Sequence, residues 1–167
     1  MEEQLGGLDI LINNAGIGVM HSTAELTEEE FDSMFALNAR GTFFALQEAA
    51  RRMRDGGRII SLSTGVTVAT TPAFGAYAGS KAAVEHFSLA LAKELGPRAI
   101  TVNTILPTLV DTGTLLLSEE AIAHFVQQTP LGRLGQPRDI ADIIAFLVSE
   151  QGSWITGQAI RAGGGLI

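Results

Sequence analysis

Short apolar runs alternate along the chain with longer segments whose apolar residues recur at helical spacing. Because a strand covered on both faces is apolar throughout, strands are predicted at residues 8–12, 58–62 and 99–106, with a last one near 158–161. Helical spacing predicts helices over residues 31–53, 77–95 and 138–148, and the segment after Pro107 is expected to be irregular. This alternation predicts an α/β fold with a parallel sheet, helices on both faces and right-handed crossovers.

The breaks between these elements carry residues typical of turns and caps. Thr27 is followed by three glutamates, as at a helix start, and Gly96-Pro97 ends a predicted helix. The first predicted strand runs into Asn13-Asn14-Ala15-Gly16, which indicates a tight turn. We expect Gly16 and Gly18 to let the backbone approach another group closely.

The composition fits one domain over residues 1–167, because 46% of the residues are hydrophobic and 17% are charged. The formal net charge of -7 would repel a phosphate backbone, so nucleic acid is not expected as a partner. No apolar stretch approaches the roughly 20 residues that cross a bilayer, and cysteine is absent, so we expect a cytoplasmic protein with no membrane partner. The histidines lack the spacing of metal ligands, so no metal is expected at His21, His86 and His124.

Tyr77 and Lys81 give the clearest indication of chemistry. Their i,i+4 spacing places a phenol and an ammonium on one face of the predicted helix. A nearby cation favours the phenolate, so Lys81 is expected to lower the pKa of Tyr77 from about 10 towards the range of an acid/base catalyst. Such a pair moves a proton on or off a substrate oxygen. Taken alone, the spacing is weak, because solvated pairs of this kind are common on helix surfaces.

Five further motifs accompany this pair in order along the chain. They are Asn13-Asn14-Ala15-Gly16, Asn38-Ala39-Arg40-Gly41, Asn103 followed by Pro107, Arg133-Leu134-Gly135-Gln136-Pro137, and Ile155-Thr156-Gly157-Gln158. With them, the sequence resembles the short-chain dehydrogenase/reductase family over residues 8–164. The resemblance implies a Rossmann-type, doubly wound parallel sheet. It also implies hydride transfer between a nicotinamide ring and a carbonyl or secondary alcohol.

The resemblance assigns roles to single residues. Tyr77 would be the general acid/base, Lys81 would lower its pKa and hold the nicotinamide ribose, and Asn38 would anchor a water that passes the proton outward. Where the family usually has a catalytic serine, this chain has Thr64, whose hydroxyl can still bond the substrate oxygen. Ser63 is a weaker candidate for that role. The cofactor, NAD or NADP, would be held by Asn13, Ala15, Gly16, Tyr77, Lys81, Val110 and Thr112.

One part of the family pattern is missing from the sequence. No glycine-rich Gly-x-x-x-Gly-x-Gly or Gly-x-Gly-x-x-Gly turn precedes Asn13, although the family's domain opens with such a turn, which receives the pyrophosphate. The resemblance therefore implies a truncated Rossmann-like domain, its C-terminal two-thirds. We expect an oxidoreductase that is weak or inactive as written. The alternative is a non-catalytic oligomeric protein that keeps the fold and binds no dinucleotide.

Two further expectations concern partners and other chemistry. The predicted helix over residues 77–95 carries an apolar stripe and little polar face, and in the family this helix builds subunit interfaces, so a homodimer or homotetramer is expected. The first strand would be an apolar sheet edge, which also favours association. The run Leu115-Leu116-Leu117 lies where the family forms a substrate lid. A serine hydrolase is disfavoured, because no Gly-x-Ser-x-Gly motif is present.

Overall fold

Four parallel strands form one sheet in the computed structural model, which describes residues 6–113 and 117–167. The strands are β1 (Leu8–Asn13), β2 (Met53–Leu62), β3 (Thr101–Pro107) and β4 (Ala159–Ala162), and they lie side by side in chain order. The register pairs Ile12 with Ile60, and Ile60 in turn with Asn103. The carboxyl ends of all four strands therefore point to the same edge of the sheet.

The helices are α1 (Glu28–Met34), α2 (Thr42–Arg52), α3 (Gly75–Leu95), α4 (Glu119–Gln128) and α5 (Pro137–Val148). A π-helical segment, Phe35–Gly41, joins α1 to α2 without a break. Short 3-10 turns occur at Gly65–Thr67, Gly96–Arg98 and Glu150–Gly152. None of the helices in the described ranges is both long and apolar enough to span a membrane.

The core lies in two layers, one on each face of the sheet. On one face, α2 and α3 pack through Leu46, Leu91 and Leu95 against Ile59 and Val102. On the other face, α5 packs through Leu147 against Ile60, Leu62 and Ile105. Successive residues such as Ile59 and Ile60 are both fully buried because a strand turns alternate side chains to opposite faces. The predicted α/β fold with helices on both faces is confirmed.

The helix predicted over residues 31–53 differs at both ends and in its middle. It begins at Glu28, because Thr27 forms a capping box with Glu30. It ends at Arg52, because Met53 adopts an extended conformation and begins β2. Strand β2 thus starts well before the predicted Arg58, and the pairing with β1 has a register shift between Leu8 and Ile10. Gly56 and Gly57 lie inside this irregular part of β2.

Two other boundaries are corrected. The third strand starts at Thr101 and not at residue 99, because Ala99 is left-handed, with φ of 54°, and closes the preceding turn. Helix α4 replaces part of the predicted irregular stretch, with Ser118 as its N-cap accepting from the backbone N–H of Ala121. Leu117 precedes it and is exposed, whereas Leu115 and Leu116 lie outside the described residues.

Candidate active site

A cleft of about 680 Å³ opens at the carboxyl ends of β1, β2 and β3. In parallel α/β sheets ligands bind at this edge, in the crevice between the loops that follow the carboxyl ends of the strands. The loop after β1 contributes Asn14, Gly16 and Ile17, and the loop after β3 contributes Thr108 to Val110 and Thr112. Lys81 is the one charged residue that lines the cleft within the described part of the chain.

Thr64, Tyr77 and Lys81 line this cleft together. Tyr77 lies in the first turn of α3 and Lys81 one turn later, while Thr64 follows the end of β2. The Thr64 side chain lies close enough to the Tyr77 phenol to lower its pKa. Lys81 is 5% exposed, and its Nζ donates to the backbone oxygen of Leu62 over 3.0 Å. Within residues 6–113 and 117–167 Nζ makes this one hydrogen bond, which leaves two of the three ammonium protons for further acceptors.

Burial, and not an interaction between Tyr77 and Lys81, is the main cause of the pKa shifts of these two residues. Burial raises the pKa of Tyr77 above its ordinary 10.0, and the hydrogen bond from Thr64 lowers it by a smaller amount. The expected lowering by Lys81 is wrong for this structure. Burial also lowers the pKa of Lys81 below its ordinary 10.5, because the ammonium loses hydration. The site thus holds a neutral phenol beside an amine that loses its proton more readily than usual.

The glycines of the loop after β1 allow this packing. A Cβ on Gly16 would lie 2.8 Å from Lys81 Nζ and 3.2 Å from Asn38 Oδ1. A Cβ on Gly18 would lie 3.3 Å from the Tyr77 ring. The close approach predicted for both glycines is confirmed, and it is the backbone of this loop that covers the tyrosine and the lysine.

Asn38 is fully buried in the π-helical segment and holds the same loop. Its Oδ1 accepts from the backbone N–H of Ile17 over 2.9 Å, and its Nδ2 donates to the backbone oxygen of Ile17 over 2.8 Å. Nδ2 also donates to Ser80 Oγ over 2.9 Å. Asn38 does not line the cleft among the described residues, so its suggested role in holding a water stays a prediction.

The geometry separates the two candidate hydroxyls after β2. Ser63 Oγ bonds Glu85 Oε1 at 2.5 Å and lies 3.4 Å from the backbone oxygen of Lys81. Its hydroxyl is thus committed to α3. Thr64, by contrast, faces Tyr77. The preference for Thr64 over Ser63 as the hydroxyl that bonds a substrate oxygen stays a prediction.

Only some of the residues expected to hold a cofactor line the cleft. Gly16, Val110 and Thr112 line the cleft with the tyrosine and the lysine. Asn13 and Ala15 are not among the cleft's lining residues, and Asn13 Nδ2 donates instead to Ser61 Oγ over 3.2 Å. The side chain of Asn13 therefore ties the end of β1 to β2.

Sequence reasoning missed one wall of the cleft. Helix α5 lines it with Pro137, Ile140, Ala141 and Ile144, whose spacing of three and four residues would have identified one apolar face. The start of α5 is fixed by two hydrogen bonds from Arg133 to Asp139, of 2.6 and 2.8 Å. These bonds lower the pKa of Asp139 to about 2. Because α5 contributes these apolar side chains, the wall of the cleft that it forms is apolar.

The histidines have local roles. His21 pairs with Glu30 at 3.2 Å, and His124 bonds Gln128 at 3.0 Å. Within residues 6–113 and 117–167, no cluster of three or more histidines and acidic residues could hold a metal ion.

Comparison with known proteins gives consistent matches over the whole sequence. The family model described as enoyl-(acyl carrier protein) reductase matches residues 1–167. An uncharacterised oxidoreductase of Methylorubrum extorquens is 42% identical over 168 residues, a match that covers 98% of this chain and 68% of that protein. A short-chain type dehydrogenase/reductase of Picea abies is 38% identical, with 99% of this chain and 64% of that protein covered.

A solved structure matches equally well. The angucycline C-6 ketoreductase LanV, with bound NADP, superposes with a TM-score of 0.93 at 43% identity, covering 99% of this chain and 65% of that chain. This chain spans about two thirds of the length of the proteins it matches.

Proposed function

Because this chain belongs to the short-chain dehydrogenase/reductase family and has its Rossmann-type fold, we propose that it is an NAD(P)-dependent oxidoreductase acting on a carbonyl or secondary alcohol. The observation that carries the proposal is the meeting of Thr64, Tyr77 and Lys81 in one cleft at the carboxyl ends of the strands. The largely apolar walls favour an apolar substrate, in keeping with the ketoreductase to which the chain is similar.

The cleft fits the nicotinamide side of such a cofactor. Gly16 leaves open backbone beside Lys81 Nζ, where any side chain would collide. Lys81 has ammonium protons that ribose hydroxyls could accept, and Val110 and Thr112 line the same cleft. When bound, a nicotinamide dinucleotide supplies or accepts the hydride at the substrate carbon.

The chain's own residues handle the proton. In the reducing direction the Tyr77 phenol donates its proton to the substrate oxygen, and in the oxidising direction its phenolate accepts that proton. Thr64 bonds the same oxygen through its hydroxyl and so orients it towards Tyr77. The phenolate left after donation is stabilised by the Thr64 hydroxyl, the group that lowers the pKa of Tyr77. Asn38 lies against the same loop and would hold the water that returns a proton.

The second half of the proposal concerns affinity. The sequence holds no glycine-rich phosphate-binding turn before Asn13, so the residues present contact mainly the nicotinamide side. We therefore propose that these 167 residues by themselves bind NAD or NADP weakly and turn over slowly.

The exposed apolar residues on α2 and α3 further support a homodimer or homotetramer.

A thermal-shift titration with each dinucleotide tests binding. Stabilisation follows RT ln(1 + [L]/Kd), about 2.7 kcal/mol at a hundredfold excess over Kd. We expect the melting temperature to rise only as NADP or NAD approaches millimolar concentration. Tyr77→Phe should keep this rise and lower the turnover of a ketone by about 10²-fold or more, because it removes only the proton donor. His86→Gln, at an exposed position on the same helix, is the control.

Two outcomes would change the conclusion. No shift with either dinucleotide at millimolar concentration would favour the alternative, a non-catalytic oligomeric protein that retains the fold. Tight, micromolar binding would contradict the proposed weakness and leave the oxidoreductase proposal in place.

A further inference from the structure

Ser80 is a fully buried serine of α3 that the proposed chemistry does not use. It lies between two groups of the site. Its Oγ accepts from Asn38 Nδ2 over 2.9 Å and donates to the backbone oxygen of Tyr77 over 2.8 Å. The side chain thus connects the π-helical segment to the helical turn that carries the tyrosine.

The connection continues from Asn38 into the loop after β1. Asn38 holds both the N–H and the C=O of Ile17. Ile17 is flanked by the two glycines whose backbone packs on Lys81 Nζ and on the Tyr77 ring. One hydroxyl therefore stands at the meeting point of the loop, the π-helical segment and α3.

We propose that Ser80 is a positioning residue, which fixes the Asn38 amide so that the loop over residues 14–18 covers Tyr77 and Lys81 in one geometry. Calling Ser80 a positioning residue rests on the proposed function of Tyr77. The hydrogen bonds of Ser80 are observed independently of that function. A hydroxyl suits the position because it accepts and donates at once, which alanine cannot do.

Removing the hydroxyl leaves a specific defect. In Ser80→Ala, one N–H of the Asn38 amide has no acceptor at a fully buried position, and a buried group left without a partner is unfavourable. The Asn38 amide can then find a new partner for this N–H only by rotating, which weakens its hydrogen bonds to Ile17. The loop loosens, and water reaches the Tyr77 ring.

Hydrogen exchange at the Ile17 amide reports this directly, because that N–H is bonded to Asn38 Oδ1. We expect exchange to be about ten- to a hundredfold faster in Ser80→Ala, whereas amides of β2 and β3 keep their rates. Ser80→Thr keeps the hydroxyl and should restore slow exchange. Ser88→Ala is the matched control, since Ser88 is also buried on α3 and bonds only Ser61 at 3.3 Å among its described contacts.

Titration of Tyr77 is a second readout and needs neither cofactor nor substrate. Tyr77 is the sole tyrosine of the sequence, so the ultraviolet absorbance of phenolate reports on it alone. Loosening the loop should move its pKa back towards 10.0 in Ser80→Ala and leave it unchanged in Ser88→Ala. If Ser80→Ala does not fold, Ser80→Cys, which keeps the shape with weaker hydrogen bonds, is measured in the same way.

The proposal is overturned if Ser80→Ala leaves both Ile17 exchange and the Tyr77 titration as in the unaltered chain. It is also overturned if Ser88→Ala changes them equally, because the effect would then belong to the helix as a whole. Either result could occur whether or not the chain binds a dinucleotide, so this failure is distinct from failure of the proposed function.

Discussion

At the scale of single residues, the proton-holding state of Tyr77 follows from its burial. A phenol that is partly removed from water resists ionisation, so at neutral pH Tyr77 is protonated and holds its proton more tightly than a free tyrosine. A base-like phenolate would instead require a cation to outweigh burial. In the structure the Lys81 ammonium donates to the backbone oxygen of Leu62, and burial outweighs any effect it has on Tyr77.

The pH dependence of Tyr77 gives the first prediction. In the folded chain the phenol should titrate above 10.0, and in urea it should return to its ordinary pKa. The folded pKa is the higher one. The free energy of unfolding therefore has its full value below the unfolded pKa of Tyr77 and falls as the pH rises through the folded pKa. Absorbance titration, with urea-unfolded chain as reference, measures both values. A folded pKa at or below the unfolded one would contradict the role of burial.

The second prediction separates Thr64 from Ser63. Thr64→Val keeps the shape of the side chain but removes the hydroxyl, whose bond to Tyr77 lowers the tyrosine's pKa. The pKa of Tyr77 should therefore rise further in Thr64→Val. Thr64→Ser should leave it close to the original value. Ser63→Ala is the control, because Ser63 is bonded to Glu85; an equal shift in Ser63→Ala would show that the wrong hydroxyl has been assigned.

The sequence predicted which polar residues share the cleft better than it predicted their electrostatics. Thr64, Tyr77 and Lys81 were named from spacing and resemblance, and they do share a cleft. Asn13 and Ala15 were named on the same basis but do not line it. The direction of the Tyr77 pKa shift could not be read from spacing, since it depends on how deeply the loop after β1 covers the ring.

At the scale of elements, the long helix shows what periodicity cannot reveal. Residues 31–53 have one helical pattern, yet the structure inserts the π-helical segment Phe35–Gly41 in its middle. This segment holds Asn38, whose side chain pairs with Ile17 far along the sequence. Irregular π turns often occur at functional positions, where a long-range contact decides the local backbone. Helix α4 is different, since Ser118 and the following glutamates were a cap signal that could have been recognised.

The third prediction concerns the loop that covers the site. Gly16→Ala places a methyl group 2.8 Å from Lys81 Nζ, which is buried and held by Leu62 and so cannot move freely. We expect the free energy of unfolding to fall by about 1–3 kcal/mol, as for other overpacked positions. Urea denaturation measures it. Gly96→Ala is the matched control, because nothing lies within 4 Å of its Cβ position, and it should be neutral or slightly stabilising.

A double-mutant cycle tests whether Lys81 is the group that resists the methyl. Lys81→Met removes the charged tip, so the combined Gly16→Ala and Lys81→Met variant should be less destabilised than the two single effects predict together. Strict additivity would mean that the methyl collides with something other than the ammonium.

At the scale of the whole molecule, the alternation of apolar runs and helical segments was sufficient to predict the sheet. Parallel strands joined by helices have few alternative arrangements, so the pattern predicts the layers before any contact is known. Which surfaces remain uncovered could not be predicted in that way. In the described part of the chain the outer edge of β1 pairs with no strand, and Ile10 and Ile12 are each nearly half exposed.

The fourth prediction is association through the outer surface of α2 and α3. Phe43 and Phe44 on α2 and Leu89 on α3 are each more than 40% exposed, and the Phe43 ring packs edge-on against Phe87, 5.1 Å away. Adjacent exposed aromatic residues of this kind are typical of protein interfaces. We expect a dimer or tetramer in sedimentation velocity, and Phe44→Glu should shift it towards monomer, because a carboxylate cannot be buried there without a partner.

Ile10→Lys tests the competing surface, since it charges the exposed edge of β1 and leaves α2 and α3 untouched. If the helical surface forms the contact, Ile10→Lys sediments like the unaltered chain whereas Phe44→Glu dissociates. The reverse result would assign association to the sheet edge. A monomer at every concentration of the unaltered chain would contradict both, and would mean that the exposed phenylalanines are tolerated in water as they stand.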